Sequence, residues 1–166
     1  MAKDLKGTLE TMIKVFKRKP EQAQAVYSAE CEWKGNLLIE AKMREFVQNI
    51  DEPPDMNGTN LGPTPLEVQL AALGACQEIL YVAYAAVMDI QLDSIKVKLD
   101  GHIDLRGLFG LDEVSAGFQK ITYETFLKSS APQEKLDQLV QAVEANCPIL
   151  DTIRRPIEVT GKVVFN

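Results

Sequence analysis

One histidine and three cysteines stand among 166 residues, and that scarcity excludes several chemistries at once. A structural zinc site needs closely spaced Cys and His ligands; Cys31, Cys76 and Cys147 are scattered and His102 stands alone. No G-x-S-x-G elbow offers a hydrolase nucleophile. Gly58-Thr59-Asn60-Leu61-Gly62-Pro63 precedes a helix, yet it matches neither glycine-rich phosphate cradle. Basic residues are also short: 18 Lys and Arg face 24 Asp and Glu, a net charge of −6. Without a basic stripe, no nucleic-acid partner is expected. No continuous apolar run reaches bilayer-spanning length, and Met1 to Lys19 lacks the uninterrupted apolar core of a signal peptide. The expectation is a cytoplasmic protein without a membrane partner. There thiols are kept reduced, and any disulfide is transient and catalytic rather than structural.

What is present is ordinary globular composition, with 46% apolar and 25% charged residues. The length suits one domain, or one protomer of an intimate dimer. Leu5, Leu9, Met12, Ile13 and Phe16 recur at helical spacing, which predicts an amphipathic helix ending near Pro20. Its terminal cluster Lys14, Lys17, Arg18 and Lys19 complements the helix dipole. From Ala25 the period becomes two, so Ala25, Tyr27, Ala29, Cys31 and Trp33 share one strand face. Cys31, alternating with aromatics, is expected in the core. Lys34-Gly35-Asn36 predicts a turn, Leu37 to Ile39 the start of a second strand, and Arg44 to Ile50 a third.

Asp51 to Pro65 carries turn residues and reads as a solvated loop; its carboxylates Asp51, Glu52 and Asp55 lack a calcium-loop pattern. Thr64 and Pro65 then open a helix, with Glu67 placed as in a capping box. That helix runs to about Met88 and is apolar on nearly every side, as a core helix is. Ser94 to Leu99 predicts a strand. Gly101 to Gly117 reads as a loop in which His102, Asp104 and Arg106 alternate along one face. Phe118 to Lys128 follows as a strand, Pro132 to Asn146 as an amphipathic helix, Pro148 to Ile153 as a short turn or helix, and Ile157 to Phe165 as a closing strand. Helices and strands are grouped rather than strictly alternating, which favours an α+β fold.

Two cysteines have contexts that carry chemistry. Cys76 ends the run Leu70-Ala71-Ala72-Leu73-Gly74-Ala75-Cys76. Cys147 lies in Asn146-Cys147-Pro148, where a helix gives way to a turn and a thiol is accessible. Two readings stay open. The pair is either a redox couple, in which one thiolate is oxidised and the other resolves it, or two small core residues. Arg106 has functional weight because a fixed cation beside a thiol lowers its pKa.

Asp51-Glu52-Pro53-Pro54, Gly58 through Glu67, and Leu70 through Cys76 together resemble the OsmC/Ohr family of osmotically inducible and organic hydroperoxide resistance proteins. Asp104-Leu105-Arg106-Gly107, Gly117-Phe118 and Asn146 through Asp151 extend the resemblance, which covers residues 25–166; residues 1–24 are an added N-terminal amphipathic helix. The resemblance implies an α+β OsmC-like fold: antiparallel sheets wrap a central apolar helix pair in an interlocked homodimer, with active sites at the dimer interface. It implies Cys76 as the peroxidatic and Cys147 as the resolving cysteine. The substrate would be an organic or lipid hydroperoxide and the reductant a dithiol such as a dihydrolipoyl group, with no cofactor or metal. The family's peroxidases pair a first-hairpin arginine with a glutamate just after the helix-opening proline. Here Lys34 to Leu38 holds no arginine, leaving Arg44, Arg106 or Lys34 as the cation, and the acid is Glu67, one residue late. These departures motivate the alternative of a non-catalytic protein binding a small apolar ligand at the dimer interface.

Overall fold

Residues 4–165 are described by a computed structural model. They divide into two compact units. One holds the residues up to 72 together with 98–124; the other holds 73–97 and the residues from 125 onward.

The first unit opens with helix α1, Leu5–Arg18. Asp4 caps it by accepting from the Gly7 N–H at 3.1 Å, and Lys17 and Arg18 close it. Pro20 cannot continue the helix and begins a single 3₁₀ turn, Pro20–Ala23. The amphipathic pattern is as expected, yet no residue of α1 is buried; Leu5, Met12 and Ile13 are exposed within the chain.

Strands β1 (Glu30–Gly35), β2 (Leu38–Met43) and β3 (Phe46–Ile50) form an antiparallel sheet in that order. Cys31 pairs with Ala41 and Trp33 with Ile39; on the other side, Ile39 pairs with Ile50. The first hairpin is possible because Gly35 takes φ 117° and Asn36 φ 48°. Two expectations are corrected here. Regular strand structure begins at Glu30, not Ala25. Cys31 is exposed rather than buried, as is Trp33. β1 is an edge strand, and among the described residues nothing covers that face.

The loop after β3 is wound around Asp51, which is 1% exposed. This corrects the expectation of a solvated loop at Asp51, whereas Asp55 is exposed. The Asp51 carboxylate accepts from the N–H groups of Glu52 (2.8 Å), Thr59 (3.0 Å) and Leu61 (3.2 Å) and from the Thr59 hydroxyl (2.5 Å). These bonds, the Thr59 hydroxyl first, hold its carboxyl below the usual carboxylate range. Gly62 passes so close to β3 that a Cβ there would lie 2.2 Å from the Asn49 carbonyl oxygen. The loop thereby delivers the chain to helix α2, Pro65–Val87. The capping box forms as expected: Glu67 accepts from the Thr64 N–H at 2.7 Å, and its own N–H donates to Thr64 Oγ1 at 3.2 Å.

Strands β4 (Ser94–His102) and β5 (Lys120–Lys128) form a two-stranded ladder. It is antiparallel, since Asp93 N–H donates to the Lys128 carbonyl and Gln119 N–H to the His102 carbonyl. α2, β4 and β5 each run from one unit into the other. The segment expected as one loop, Gly101 to Gly117, contains the end of β4 and a short helix α3, Leu105–Leu108. Asp104 caps α3 through the Arg106 N–H at 3.0 Å, so the alternation of His102, Asp104 and Arg106 breaks at the cap.

The second unit holds the core. Leu73, Gln77, Tyr81 and Ala85 form one buried stripe of α2 at i, i+4 spacing, with Gly74 beside it. Against Tyr81 and Ala85 pack Leu139 and Val143 of helix α4, Gln133–Asn146, with Ile90 completing the cluster. By length and composition alone α2 could cross a bilayer, contrary to the sequence reading that no run was long enough. Its buried stripe is what the core helix of a globular unit shows. Other faces of α2 stay open within the chain: Ile79 is 67% and Val82 45% exposed. Helix α5, Pro148–Arg154, follows α4 after one residue. The closing strand expected at Ile157 to Phe165 does not form. Among the described residues this apolar segment has no strand beside it, and Val159, Val163, Val164 and Phe165 are exposed.

Candidate redox site

Cys147 is the single residue between α4 and α5, the C-cap of one and the N-cap of the other. Pro148 dictates this break. Its ring disfavours helical geometry in the preceding residue, and Cys147 is extended at φ −72°, ψ 111°. Proline then suits the first helical position of α5, where no N–H is needed. Leu139 and Val143, both 0% exposed, fix α4 against α2. α2 carries Cys76 one turn before the half-buried Leu80 and the buried Tyr81.

The fold brings the two cysteines together from 71 residues apart in sequence: the Cys147 thiol donates toward the Cys76 sulfur at 3.5 Å. Their accessibilities are the reverse of the sequence expectation. Cys147, at the helix junction, is 1% exposed, whereas Cys76, inside a helix, is half-buried. An outside reagent therefore meets Cys76 first.

Three influences act on the Cys76 thiol. Burial, the largest, pushes it up, because a low-dielectric surrounding disfavours the thiolate. A hydrogen bond from the backbone N–H of Ile149 opposes this, and the neighbouring Cys147 sulfur adds to the rise. Both sulfurs are reduced. A pair of thiols at this separation can cycle between dithiol and disulfide, since the bond needs an approach to about 2.05 Å.

The other residues singled out in sequence lie in the first unit, where each has a local partner. Glu67 serves the capping box with Thr64. Arg44 takes φ 57° at the β2–β3 turn and lies over the Phe46 ring, 5.0 Å from its centroid. Arg106 forks onto Asp104 at 2.5 Å and reaches Asp112 at 3.1 Å. Lys34 pairs with Glu32 at 2.6 Å and Glu40 at 3.5 Å.

Two features of the second unit escaped the sequence reading. One is the Ile149 N–H. Its signal was available, because after Cys-Pro the first N–H of the new helix belongs to the next residue. The other is Gln77, 1% exposed, whose Oε1 has no hydrogen-bond partner. A glutamine in an apolar helix gave no cue to which face it occupies.

Comparison with known proteins agrees with this architecture. The family described as OsmC-like protein matches residues 58–162. No curated protein matches the chain. Among solved structures, an OsmC-like protein from Mycoplasma pneumoniae superposes with a TM-score of 0.69 at 18% identity, over 79% of this chain and 89% of that one. The organic hydroperoxide resistance protein OsmC of Legionella pneumophila gives 0.59 at 18% identity, covering 78% and 90%. An organic hydroperoxide resistance protein from Elizabethkingia anophelis, with thiocyanate bound, gives 0.57 at 15% identity, covering 79% and 89%. At these identities the structures establish the shared α+β fold with small antiparallel sheets.

Proposed function

The chain belongs to the OsmC-like protein family, on the match over residues 58–162, and from that footing we propose that it is a thiol-dependent peroxidase of organic and lipid hydroperoxides. The observation that carries this reading is the approach of the Cys147 and Cys76 sulfurs to 3.5 Å, with Cys76 half-buried and Cys147 buried. The Cys76 thiolate attacks the terminal oxygen of the hydroperoxide. An S–O bond forms, the O–O bond breaks, and the alkoxide leaves and takes up a proton as the alcohol. Cys76 is then a sulfenic acid. Cys147 attacks that sulfur; the S–S bond forms, the S–O bond breaks, and hydroxide leaves as water with the proton Cys147 gives up. An external dithiol, such as a dihydrolipoyl group, returns both sulfurs to thiols by exchange. No cofactor enters, since both electrons come from sulfur.

The reaction belongs to the OsmC-like domain, residues 25–166, with residues 1–24 as an N-terminal helical extension, in a cytoplasmic homodimer. The apolar surface left open within one chain supports the interlocked dimer: Ile79 and Val82 on α2, the β1 face, and the extended segment Ile157 to Phe165. Arg44, Arg106 and Glu67 are the charged residues assigned to assist Cys76 across the assembled dimer.

The test is consumption of an alkyl hydroperoxide with a dithiol reductant. Wild type turns over and Cys76→Ser does not; absence of turnover in wild type, or normal turnover in Cys76→Ser, overturns the proposal. One observation favours a second reading: burial raises the Cys76 thiol, as in an unreactive lining cysteine. On that reading the protein is non-catalytic and holds a small apolar ligand at the dimer interface. Native mass spectrometry of the purified dimer would then show a bound ligand, with no peroxide turnover.

A further inference from the structure

We infer that α1 is a membrane-surface helix, which lays its apolar face into a bilayer bearing anionic phospholipid headgroups and so brings the protein to lipid hydroperoxides. This deepens the peroxidase reading above by naming where the substrate is met; the docking itself rests on α1 alone. The sequence led to the expectation of no membrane partner. The structure adds that the chain's own core does not take up the apolar face of this helix. None of its residues is buried, Leu5, Met12 and Ile13 are exposed, and among the described residues α1 packs mainly on the 3₁₀ turn that follows it.

At about 100° per residue, Leu5, Leu9, Met12, Ile13, Val15 and Phe16 share one arc of about 160°. Thr8 is the polar residue inside that arc, and its hydroxyl donates to the Asp4 carbonyl at 2.8 Å, so it would enter lipid already satisfied. Lys6 and Lys17 border the arc on one side, where a lysine stem can lie along apolar surface while its ammonium reaches outward. Lys14 and Arg18 occupy the opposite face with Glu10. Apolar and polar side chains are segregated more sharply here than in α2 or α4, as in helices that lie in the plane of a bilayer interface.

Charge selects the partner. Residues 1–19 hold six of the chain's 18 Lys and Arg but two of its 24 Asp and Glu, so a basic helix is joined to an acidic remainder. An anionic surface attracts the first and repels the second. Residues 24–29 are exposed and lie outside any helix or strand, which gives the two room to separate. Drawn out at ~3.3 Å per residue they reach about 20 Å, beyond a Debye length of about 8 Å. A second copy is the weaker occupant: antiparallel self-pairing through the apolar face would set Lys6 of one copy against Lys17 of the other.

The test is flotation of the full-length protein with vesicles of phosphatidylcholine alone or in equimolar mixture with phosphatidylglycerol. Wild type is expected to float with the mixed vesicles, to bind phosphatidylcholine far less, and to be released by salt. Each cation near an anionic surface strengthens binding about fivefold, so Lys14→Glu combined with Lys17→Glu is expected to weaken it by about 25-fold or more. Met12→Glu sets a charge in the apolar face and is expected to abolish flotation with the unfolding midpoint unchanged, since Met12 is exposed. Wild type that does not float with mixed vesicles, or flotation that neither variant weakens, overturns the inference. So does a Met12→Glu protein that unfolds earlier or sediments as a dissociated dimer, because a second copy would then cover this face. Turnover of a soluble alkyl hydroperoxide is followed alongside. Soluble turnover without flotation sinks the membrane helix and leaves the peroxidase standing; flotation without turnover does the reverse. Where both hold, the Lys14→Glu, Lys17→Glu protein should lose turnover of a phospholipid hydroperoxide held in mixed vesicles and keep turnover of the soluble one. Equal retention of both overturns the delivery role.

Discussion

Leu139→Ala tests whether the α2–α4 contact holds the site together. Leu139 is 0% exposed and packs in the cluster formed with Tyr81, Ala85, Ile90 and Val143. Truncation deletes three buried carbons, worth about 2.4 kcal/mol at about 0.8 kcal/mol each. The cavity left behind adds to this, since the fixed backbones of two helices close it only in part, and measured Leu→Ala costs run from about 2 to 5 kcal/mol. About 3 kcal/mol is expected, a large part of a stability on the order of 5–15 kcal/mol. Urea unfolding would show it as a midpoint lower by roughly 1–2 M with an unchanged slope. The site should respond as well. α4 delivers Cys147 to Cys76, so disulfide formation after peroxide treatment should slow more than alkylation of Cys76. A loss below about 1 kcal/mol, or equal effects on both reactions, would refute the argument that this contact assembles the pair.

Three other outcomes follow from named groups. Burial raises the Cys76 thiol, so its alkylation should keep rising with pH past the ordinary thiol midpoint of about 8.5; a lower midpoint would show that a group in the assembled protein outweighs burial. Asp51 has a folded pKa below its unfolded value of about 3.9, so its contribution to stability is present above that pH and is lost as pH falls through the folded value. Unfolding measured from neutral to acidic pH should therefore show a smaller acid loss in Asp51→Asn, which is also less stable at neutral pH; parallel curves would remove Asp51 from the acid limb. Gln77→Met replaces a buried, unpartnered Oε1 with an apolar chain of similar volume, so thermal unfolding should show a gain of about 1–2 kcal/mol; a loss would mean that this oxygen is satisfied in the assembled protein.

The elements that the sequence made legible are those whose signals are local. The Thr64-Pro65-x-Glu67 start of α2 forms with both capping hydrogen bonds, and Cys147-Pro148 breaks the chain between α4 and α5 where proline must. The α+β class followed from grouped helical and strand periods. What failed depended on neighbours. Alternation at Ala25 to Ala29 and at Ile157 to Phe165 predicts strands correctly only where another strand is at hand to pair, and among the described residues of one chain none is. The same absence leaves Cys31 exposed. Burial within α2 could not be read from a helix apolar on most sides. The buried stripe through Gln77, and the half-open position of Cys76, depend on where α4 lies. The pairing of the two sulfurs came into view through family resemblance, because 71 residues of spacing carry no distance.

The central claim is that Cys76 and Cys147 form one redox couple, and treatment of the reduced protein with a single equivalent of an organic hydroperoxide tests it most directly. Non-reducing peptide mass spectrometry should find the Cys76–Cys147 disulfide, with one alcohol released per chain and Cys31 still a free thiol. In Cys147→Ser the reaction should halt at a Cys76 sulfenic acid that a dimedone probe traps. A protein that keeps all its thiols while the peroxide persists, or one that links Cys31 in place of this pair, would contradict the account.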